Sequence, residues 1–249
     1  MSVLEVRNLT KRFGNLVAVR DISLTVAPGE LRAVIGPNGA GKTTFFNLVS
    51  GFFAPSAGSI LFAGRDITAV PAHRRVGLGM ARTFQITEVF PELTVFENIR
   101  IVTEVAAGYR LRPWLNRTEA AELRRRIDET LEFSTLSGKA HRVVGELAHG
   151  DQRAAEIAMA LALKPHLLLL DEPTAGMGDQ ETYDITQLIR RLHKVGKLTI
   201  VLIEHDMRVV FHLADRITVL DQGGFLAEGT PQEIAASPAV QTAYLGQAA

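Results

Sequence analysis

The stretch Gly36-Pro37-Asn38-Gly39-Ala40-Gly41-Lys42-Thr43 follows the pattern G-x-x-x-x-G-K-[ST] and sets the expected fold. The apolar residues 31–35 before it predict a buried strand, and residues 44–49 after it predict a helix that ends at residues 50–51. A strand, a glycine-rich loop and a helix in this order direct backbone amides and a helix N-terminus at an anion. The stretch therefore predicts a nucleoside triphosphate site in an α/β fold rather than an ordinary glycine-rich turn.

The side chains of this loop have expected roles in holding a phosphate chain and its metal. The glycines let N–H groups approach phosphate oxygens, Lys42 adds a positive charge toward the β- and γ-phosphates, and the Thr43 hydroxyl is a ligand for Mg²⁺. The residues expected to bind the nucleotide are Gly36, Pro37, Asn38, Gly39, Ala40, Gly41, Lys42, Thr43 and Thr44.

The composition of the chain excludes several classes of protein. Its 249 residues are 47% hydrophobic, which is enough for a full core in one large domain or two subdomains. The 27 acidic and 27 basic residues balance, so no net charge favours nucleic acid as a partner. The lack of cysteine excludes disulfides, thiolate metal sites and cysteine nucleophiles. Because no apolar run has the length of a signal peptide or a membrane span, we expect the chain by itself to be soluble.

Hydrophobic periodicity changes along the chain and predicts its organisation. Residues 3–30 alternate between apolar and polar positions, which predicts an antiparallel sheet leading into the phosphate loop. The pattern becomes helical near residue 94, where Thr94 and Glu97 form a capping-box pattern. Strands alternate with helices again after Pro165, which predicts a parallel, doubly wound sheet. We therefore expect a core of residues 1–89 and 166–249, interrupted by an all-helical insert at 90–165, whose third helix begins at Asp151.

Two carboxylates at the end of an apolar strand supply further parts of a phosphoryl-transfer site. Such a site needs a phosphate cradle, a metal, a positioned water and a group that responds to charge on the γ-phosphate. Asp171 ends the apolar run 167–170 and is expected to hold the metal, because open α/β sheets bind ligands at the C-terminal ends of strands. Glu172 is expected to polarise the attacking water as a general base. The alternative for this pair is a strand-terminating turn.

Two further features have both a functional and a purely structural interpretation. His205 follows the predicted strand 198–203 and could donate a hydrogen bond to the γ-phosphate or sense it. The alternative is a polar residue at a helix start, since Asp206 fits a helix cap. Residues 147–153 lead into a predicted helix, whose N-terminus would favour an anion. By itself this is an ordinary capped helix start.

The chain resembles the ATPase subunit of an ABC transporter. The features that carry the resemblance are, in this order along the chain, the phosphate loop, Gln85, residues 147–153, the Asp171–Glu172 pair and His205. The resemblance covers essentially the whole chain. It implies a RecA-like P-loop core with an antiparallel β subdomain and an inserted all-helical subdomain, with ATP and Mg²⁺ as cofactors.

The same resemblance implies a role for each site residue. Phe13 would stack on the adenine, and Gln85 would be the lid residue near the metal and the water. Asp171 would be a metal ligand together with Thr43 and Gln85. Glu172 would be the catalytic base, and His205 would be the switch that responds to the γ-phosphate.

Residues 147–152 resemble the signature stretch of the family, which in such proteins meets ATP bound to the opposite subunit. Hydrolysis would then require a head-to-tail dimer with a second ABC ATPase chain, either identical or different. The usual signature reads L-S-G-G-Q, so Ala148 lacks the hydroxyl of the usual serine, His149 replaces a glycine and Asp151 replaces the glutamine. An Asp at the helix start is expected to cap the helix but also to add negative charge near a γ-phosphate. The ATP-binding residues implied here are Leu147, Ala148, His149, Gly150, Asp151 and Gln152.

Three stretches, residues 79–85, 203–207 and 227–231, look like ATPases of the branched-chain amino acid uptake group, which includes systems for urea and short amides. The resemblance implies integral-membrane permease subunits as partners, a solute-binding protein as an indirect partner, and a place at the cytoplasmic face of the cell membrane. Phe90 and Phe96 are candidates for the groove that grips the permease, or for the core of the helical subdomain.

Other functions remain as alternatives. The closest is the ATPase of an exporter, such as a lipopolysaccharide-transport system, because the permease decides the direction of transport. A mechanical or DNA-repair ABC protein would need a long coiled-coil insert or a second cassette, and the chain has room for neither. A GTPase or small-molecule kinase fits less well, because the guanine motif N-K-x-D is absent.

Overall fold

The computed structural model of the chain describes residues 2–83, 89–109 and 115–245. These residues belong to two compact units. The first unit contains Met1–Arg82, His166–Glu172 and Arg190–Ala249, and the second contains Thr83–Pro165 and Pro173–Ile189. The second unit thus includes the expected helical insert and, in addition, residues 173–189, which the expected boundaries place in the core.

The described residues form strands, α-helices and two short 3-10 helices, Ser137–Lys139 and Val144–Glu146. The strands are β1 (Leu4–Phe13), β2 (Leu16–Val26), β3 (Leu31–Ile35), β4 (Ala57–Phe62), β5 (Arg65–Asp66), β6 (Met80–Arg82), β7 (Leu167–Asp171), β8 (Thr199–Ile203), β9 (Arg216–Asp221) and β10 (Gly224–Gly229). The helices are α1 (Lys42–Ser50), α2 (Ala72–Val76), α3 (Val95–Ala106), α4 (Arg117–Phe133), α5 (His149–Ala162), α6 (Asp179–Lys194), α7 (Met207–Leu213), α8 (Pro231–Ala235) and α9 (Pro238–Leu245).

A six-stranded sheet with the order β10-β9-β3-β8-β7-β6 carries the phosphate loop. β3 pairs in parallel with β8 and β9, β7 pairs in parallel with β8 and β6, and β10 pairs antiparallel with β9. Every residue of β3, β7 and β8 is buried, as is typical of strands covered on both faces. Parallel pairing places Asp171 opposite Ile203, so the residues that follow β7 and β8 emerge at the same edge of the sheet.

A second, antiparallel sheet has the order β2-β1-β4-β5 and confirms the strands expected near the N-terminus. Its alternating apolar residues, among them Leu4, Val6 and Ile22, are buried in one core. Phe45 and Phe46 of α1 lie in the same core, so the helix that follows the phosphate loop is fixed by apolar packing. α1 itself begins after Gly41 and ends at Gly51, both of which have left-handed backbone conformations.

The second unit contains α3, α4 and α5, whose starts differ in their capping. α3 has the expected capping box of Thr94 and Glu97, and α4 has a further one that sequence patterns did not predict. The expected start of α5 at Asp151 is wrong, because the helix begins at His149 and its cap position is Ala148, which makes no side-chain cap hydrogen bond. Asp151 therefore lies inside the first turn and does not cap the helix.

Candidate functional site

The phosphate-loop backbone is folded so tightly that two of its positions admit only glycine. Gly36 has φ +154°, and a Cβ atom there would lie 2.1 Å from the carbonyl oxygen of Leu220. Gly41 has φ +90°, and its Cβ would lie 2.4 Å from the carbonyl oxygen of Ala18. Both distances are far below van der Waals contact. The glycines of the motif are therefore required by the shape of a loop that directs its amides inward.

The Lys42 side chain lies within the curve of this loop. It is 6% exposed, and its Nζ donates hydrogen bonds to the carbonyl oxygens of Gly36 at 2.7 Å and Pro37 at 3.0 Å. Burial lowers the pKa of Lys42, while the negative charges of Glu172 and Asp171 oppose that change. The loop thus holds a cation that faces two carboxylates, which is the electrostatic setting that a phosphate chain and a divalent metal require.

One cleft of the first unit brings several of the predicted site residues together. It has a volume of about 690 Å³, and its lining includes the loop residues 38–44, the residues 15–18 at the start of β2, Glu172 and His205. The residues that the sequence proposed for phosphate, base and switch therefore share one cleft, although they are far apart in the chain.

Glu172 and His205 are in direct contact at the edge of the parallel sheet. The Nε2 atom of His205 lies 2.7 Å from Oε1 of Glu172, and their side chains are 44% and 15% exposed. Glu172 has φ +47°, and its amide donates to the carbonyl oxygen of Ile203 at 3.0 Å. A left-handed conformation at a non-glycine residue costs of order 1 kcal/mol, and such strain is concentrated at functional sites. This geometry aims the carboxylate into the cleft.

Asp171 is buried at the end of β7 and is held by a residue that the sequence analysis missed. It is 2% exposed, and its Oδ2 accepts a hydrogen bond from the guanidinium of Arg82 at 2.7 Å. Arg82 ends the short strand β6, which no hydrophobic periodicity predicted. The only sequence feature that could have pointed to Arg82 as a site residue is its position, three residues before the expected lid residue Gln85.

Phe13, the residue expected to stack on the adenine, lies outside the lining of the cleft and packs against another aromatic ring. Phe13 is 44% exposed and packs edge-on against Phe53 at 5.5 Å between ring centroids, with the Lys11 ammonium 5.0 Å from its ring. The lining of the cleft includes Leu16 and Val17 rather than Phe13. Gln85, expected as the lid residue, lies outside the described residues.

The signature stretch belongs to the second unit, where its polar groups have partners in that unit. The amide of Gly150 donates to Oε1 of Glu181 at 3.0 Å, and Nε2 of Gln152 donates to the carbonyl oxygen of Leu147 at 3.0 Å. The added negative charge of Asp151 is paired with Lys139, whose Nζ lies 2.5 Å from its Oδ1. The negative charge of Asp151, which the sequence analysis expects near a γ-phosphate, is thus paired with the positive charge of Lys139.

The two candidates for a permease groove differ in exposure. Phe90 is 47% exposed, and its amide donates to Oδ1 of Asn98 at 2.8 Å. Phe96 is partly buried, with the guanidinium carbon of Arg124 4.7 Å from its ring centroid. Phe90 therefore offers its ring to solvent, whereas Phe96 takes part in packing within the helical unit.

The donor set around the loop fits a magnesium nucleotide. In the described part of the chain, no group of three or more His, Asp or Glu side chains could hold a metal by itself. Mg²⁺ on a nucleotide needs no such cage, because it keeps waters and phosphate oxygens and takes one or two protein ligands. Thr43 in the first turn of α1 is exposed, and Asp171 is one of the two carboxylates, after Glu172, whose negative charge opposes the lowering of the Lys42 pKa by burial. Among helices of residues 2–83, 89–109 and 115–245, none is long and apolar enough to cross a bilayer.

Two family models match the chain. The model described as ABC transporter matches residues 19–175, and the model described as branched-chain amino acid ATP-binding cassette transporter matches residues 226–249. The first covers the phosphate loop, the signature stretch and the Asp171–Glu172 pair, and the second covers the last four residues of β10 together with α8 and α9.

Individual relatives extend the similarity to the full length. The high-affinity branched-chain amino acid transport ATP-binding protein BraF of Pseudomonas aeruginosa is 42% identical, over 99% of this chain and 98% of its own length. The ADP conformation of MJ1267, an ATP-binding cassette of an ABC transporter, is 30% identical with a TM-score of 0.86 over 99% of both chains. A dimeric post-hydrolysis structure of the cassette MJ0796, bound to ADP and Pi, is 25% identical with a TM-score of 0.76 over 92% of this chain and 98% of that one.

Proposed function

The chain belongs to the ABC transporter ATP-binding family, and from this we propose that it hydrolyses ATP to drive a membrane permease that takes up branched-chain amino acids or related small solutes. The observation that carries the proposal is the single cleft lined by the phosphate loop, Glu172 and His205, with the two side chains 2.7 Å apart. This arrangement supports the assignment of a cradle, a base and a γ-phosphate contact, which are parts of a phosphoryl-transfer site.

In the proposed reaction, Glu172 accepts a proton from a water molecule. The water oxygen forms a bond to the γ-phosphorus while the bond from that phosphorus to the β–γ bridging oxygen breaks, giving ADP and inorganic phosphate. General-base catalysis of this kind contributes about 10²- to 10⁴-fold. His205 orients the Glu172 carboxylate and contacts the γ-phosphate, and Lys42 offsets charge on the phosphates. Mg²⁺, held by Thr43, Gln85 and Asp171, would neutralise the charge of the phosphate oxygens.

We also propose that the working unit is a dimer of ABC ATPase chains. The dimeric cassette MJ0796 provides the support for this arrangement. In such a dimer, residues 147–152 of one chain contact ATP bound to the phosphate loop of the other, with either an identical or a different second chain. The permease would hold the dimer at the cytoplasmic face of the membrane, and a solute-binding protein would act through the permease.

The proposed solute class rests on similarity to named relatives. BraF is named for branched-chain amino acid transport, and residues 226–249 match a model with the same description. Contacts with the solute belong to the permease and the binding protein. The assembly should therefore be purified with its permease and tested in vesicles for uptake of labelled leucine, isoleucine, valine, urea and a short amide. ATP-dependent uptake of none of these solutes would contradict the proposed class.

The catalytic assignment is tested by Glu172→Gln, which keeps the size of the side chain but removes the base. We expect ATP hydrolysis to fall by about 10²-fold or more, while ATP binding is retained and an ATP-bound dimer accumulates. Glu132→Gln changes an exposed carboxylate of α4 and serves as the matched control. Hydrolysis near the wild-type rate in Glu172→Gln would contradict the assignment of the base.

The cradle is tested separately by Lys42→Ala. Because Lys42 is the buried cation of the loop, its loss should abolish nucleotide binding in an equilibrium assay with a fluorescent ATP analogue. Circular dichroism would show whether the fold is kept. Unchanged ATP affinity in a folded variant would contradict the assigned cradle.

A further inference from the structure

Arg82 connects three parts of the first unit through one guanidinium group. Its Nη2 atom donates to Oδ2 of Asp171 at 2.7 Å. Its Nη1 atom donates to Oδ1 of Asn47 at 2.7 Å and to Oγ of Ser50 at 2.7 Å. Asn47 and Ser50 belong to α1, the helix that begins within the phosphate loop. The end of β6, the end of β7 and the helix of the phosphate loop therefore meet at this side chain.

The surroundings of Arg82 fix the guanidinium in one orientation. Its side chain is 8% exposed, and its guanidinium carbon lies 5.7 Å from the ring centroid of Phe46 and 5.6 Å from that of Phe52. A planar guanidinium between aromatic rings can address two sets of acceptors at fixed angles, which a lysine ammonium cannot do. One nitrogen of the forked guanidinium is thus anchored on α1, while the other nitrogen holds the Asp171 carboxylate.

Asp171 depends on such a partner because it is buried. A carboxylate that is 2% exposed is stable in its charged form only when it is paired and hydrogen-bonded. The groups that hold the ligands of a metal site determine how well those ligands are oriented, and their loss typically costs about 10- to 100-fold in metal affinity or activity. Arg82 occupies this position for the carboxylate that we assign to the magnesium nucleotide.

We infer that Arg82 is a positioning residue for magnesium-dependent nucleotide binding: anchored on Asn47 and Ser50, it fixes the Asp171 carboxylate relative to the phosphate loop. This inference rests on the proposed function, because it takes Asp171 to face the metal of bound ATP. It differs from a purely structural role, in which Arg82 would stabilise the first unit without affecting the metal.

The test compares Arg82→Lys and Arg82→Met with the wild type. Binding of a fluorescent ATP analogue is titrated with Mg²⁺ and, separately, measured in EDTA. We expect the Mg²⁺ concentration for half-maximal enhancement of binding to rise by about 10- to 100-fold in both variants. Affinity in EDTA should change little, because the loop glycines and Lys42 do not depend on Arg82. Arg82→Lys should not restore the metal response, since an ammonium lacks the fork.

Two further variants separate positioning from stability. Asn47→Ala combined with Ser50→Ala leaves Arg82 and Asp171 intact but removes the anchor, and it should produce a smaller rise in the same direction. Arg75→Met removes another buried arginine bound to α1, through the carbonyl oxygens of Leu48 and Val49, whose guanidinium donates to backbone carbonyl oxygens and not to Asp171. It should lower thermal stability without changing the Mg²⁺ requirement of the folded protein.

The outcomes distinguish the inference from the proposed function. A wild-type chain whose nucleotide binding does not respond to Mg²⁺ would contradict the proposed function itself. If the wild type responds but both Arg82 variants, while folded, keep the wild-type Mg²⁺ requirement, the inference is wrong and Arg82 is only structural. A lowered requirement would also overturn it, because Arg82 would then compete with the metal. If Arg82→Met does not fold, Arg82→Lys and the double alanine variant decide.

Discussion

The stability of the phosphate-loop helix should depend strongly on Arg75, and the structure allows the size of the effect to be worked out. Arg75 is 2% exposed. Its guanidinium donates to the backbone carbonyls of Val70, Leu48, Val49, Ile67 and Thr68. The carbonyls of Leu48 and Val49 lie in the last turn of α1, where a cation is favoured, and the Leu48 carbonyl also accepts a hydrogen bond from the Gly51 amide at 3.1 Å.

Two opposing contributions set the expected loss in Arg75→Met. A hydrogen bond to a charged group contributes about 1.5 kcal/mol at the low end of its range, so the five contacts together contribute about 7.5 kcal/mol. Burial lowers the pKa of Arg75 from its ordinary value to about 10. At about 1.4 kcal/mol for each pH unit, the desolvation of the cation costs about 3.5 kcal/mol. The net loss in the free energy of unfolding is therefore about 4 kcal/mol.

Calorimetry and urea unfolding would measure this loss directly. For a chain of this size, about 4 kcal/mol corresponds to a drop in Tm of about 8–16 °C. Arg74→Met is the matched control, because Arg74 is the exposed neighbour on the same helix, and it should stay within about 0.5 kcal/mol of the wild type. A loss below about 1 kcal/mol in Arg75→Met would refute the reasoning, since it would mean that the freed carbonyls find water or other donors at little cost.

Further predictions concern the signature stretch and the helix caps. Lys139→Gln should weaken ATP-driven dimer formation, because Asp151 loses the cation 2.5 Å away. Analytical ultracentrifugation in the Glu172→Gln background would measure this, and adding Asp151→Asn to Lys139→Gln should restore dimer formation. Equal losses in the single and double variants would show that the Lys139–Asp151 ion pair is irrelevant to the dimer. The pKa values of Glu97 and Glu233 are held below the ordinary 4.5 by the amides of Thr94 and Thr230. A lowered carboxyl pKa gives stability that is present above the ordinary value and is lost as the pH falls through the lowered one. Urea unfolding should therefore show a smaller difference between the wild type and the combined Glu97→Gln, Glu233→Gln variant below pH 4 than at pH 6; a difference that does not change with pH would contradict this account.

Much of the fold followed from local rules. The alternation of apolar residues in β1 and β2, the apolar runs of β3, β7 and β8, and the capping box of α3 each reflect a backbone period or a nearby hydrogen bond. β6 and α2 were not predicted, because strands and helices of three to five residues are too short to show a period. α5 starts two residues earlier than expected, since Ala148 serves as its cap position without any side-chain signal.

The candidate site was predicted only as a set of residues and not as a set of contacts. Sequence patterns selected Lys42, Asp171, Glu172 and His205 because each follows a predicted strand or lies in a glycine-rich loop. No pattern connects Arg82 with Asp171, which are 89 positions apart, or Lys139 with Asp151, 12 positions apart in a different element. These contacts depend on strand order and on the packing of side chains, which are properties of the folded chain.

By itself the sequence indicated a nucleotide as the ligand of the loop, because the spacing of the glycines and the charge of Lys42 are local properties of the chain. It also determined the family, since the motifs occur in a fixed order. The tertiary structure alone decided how these groups act on one another. Parallel pairing of β7 with β8 brings Glu172 to His205, and burial makes Asp171 depend on Arg82. The short 3-10 helix Ser137–Lys139, which follows α4, supplies Lys139 to Asp151 of the substituted signature. Electrostatic interactions act over a few ångströms in space, whatever the separation along the chain, so only the fold specifies them.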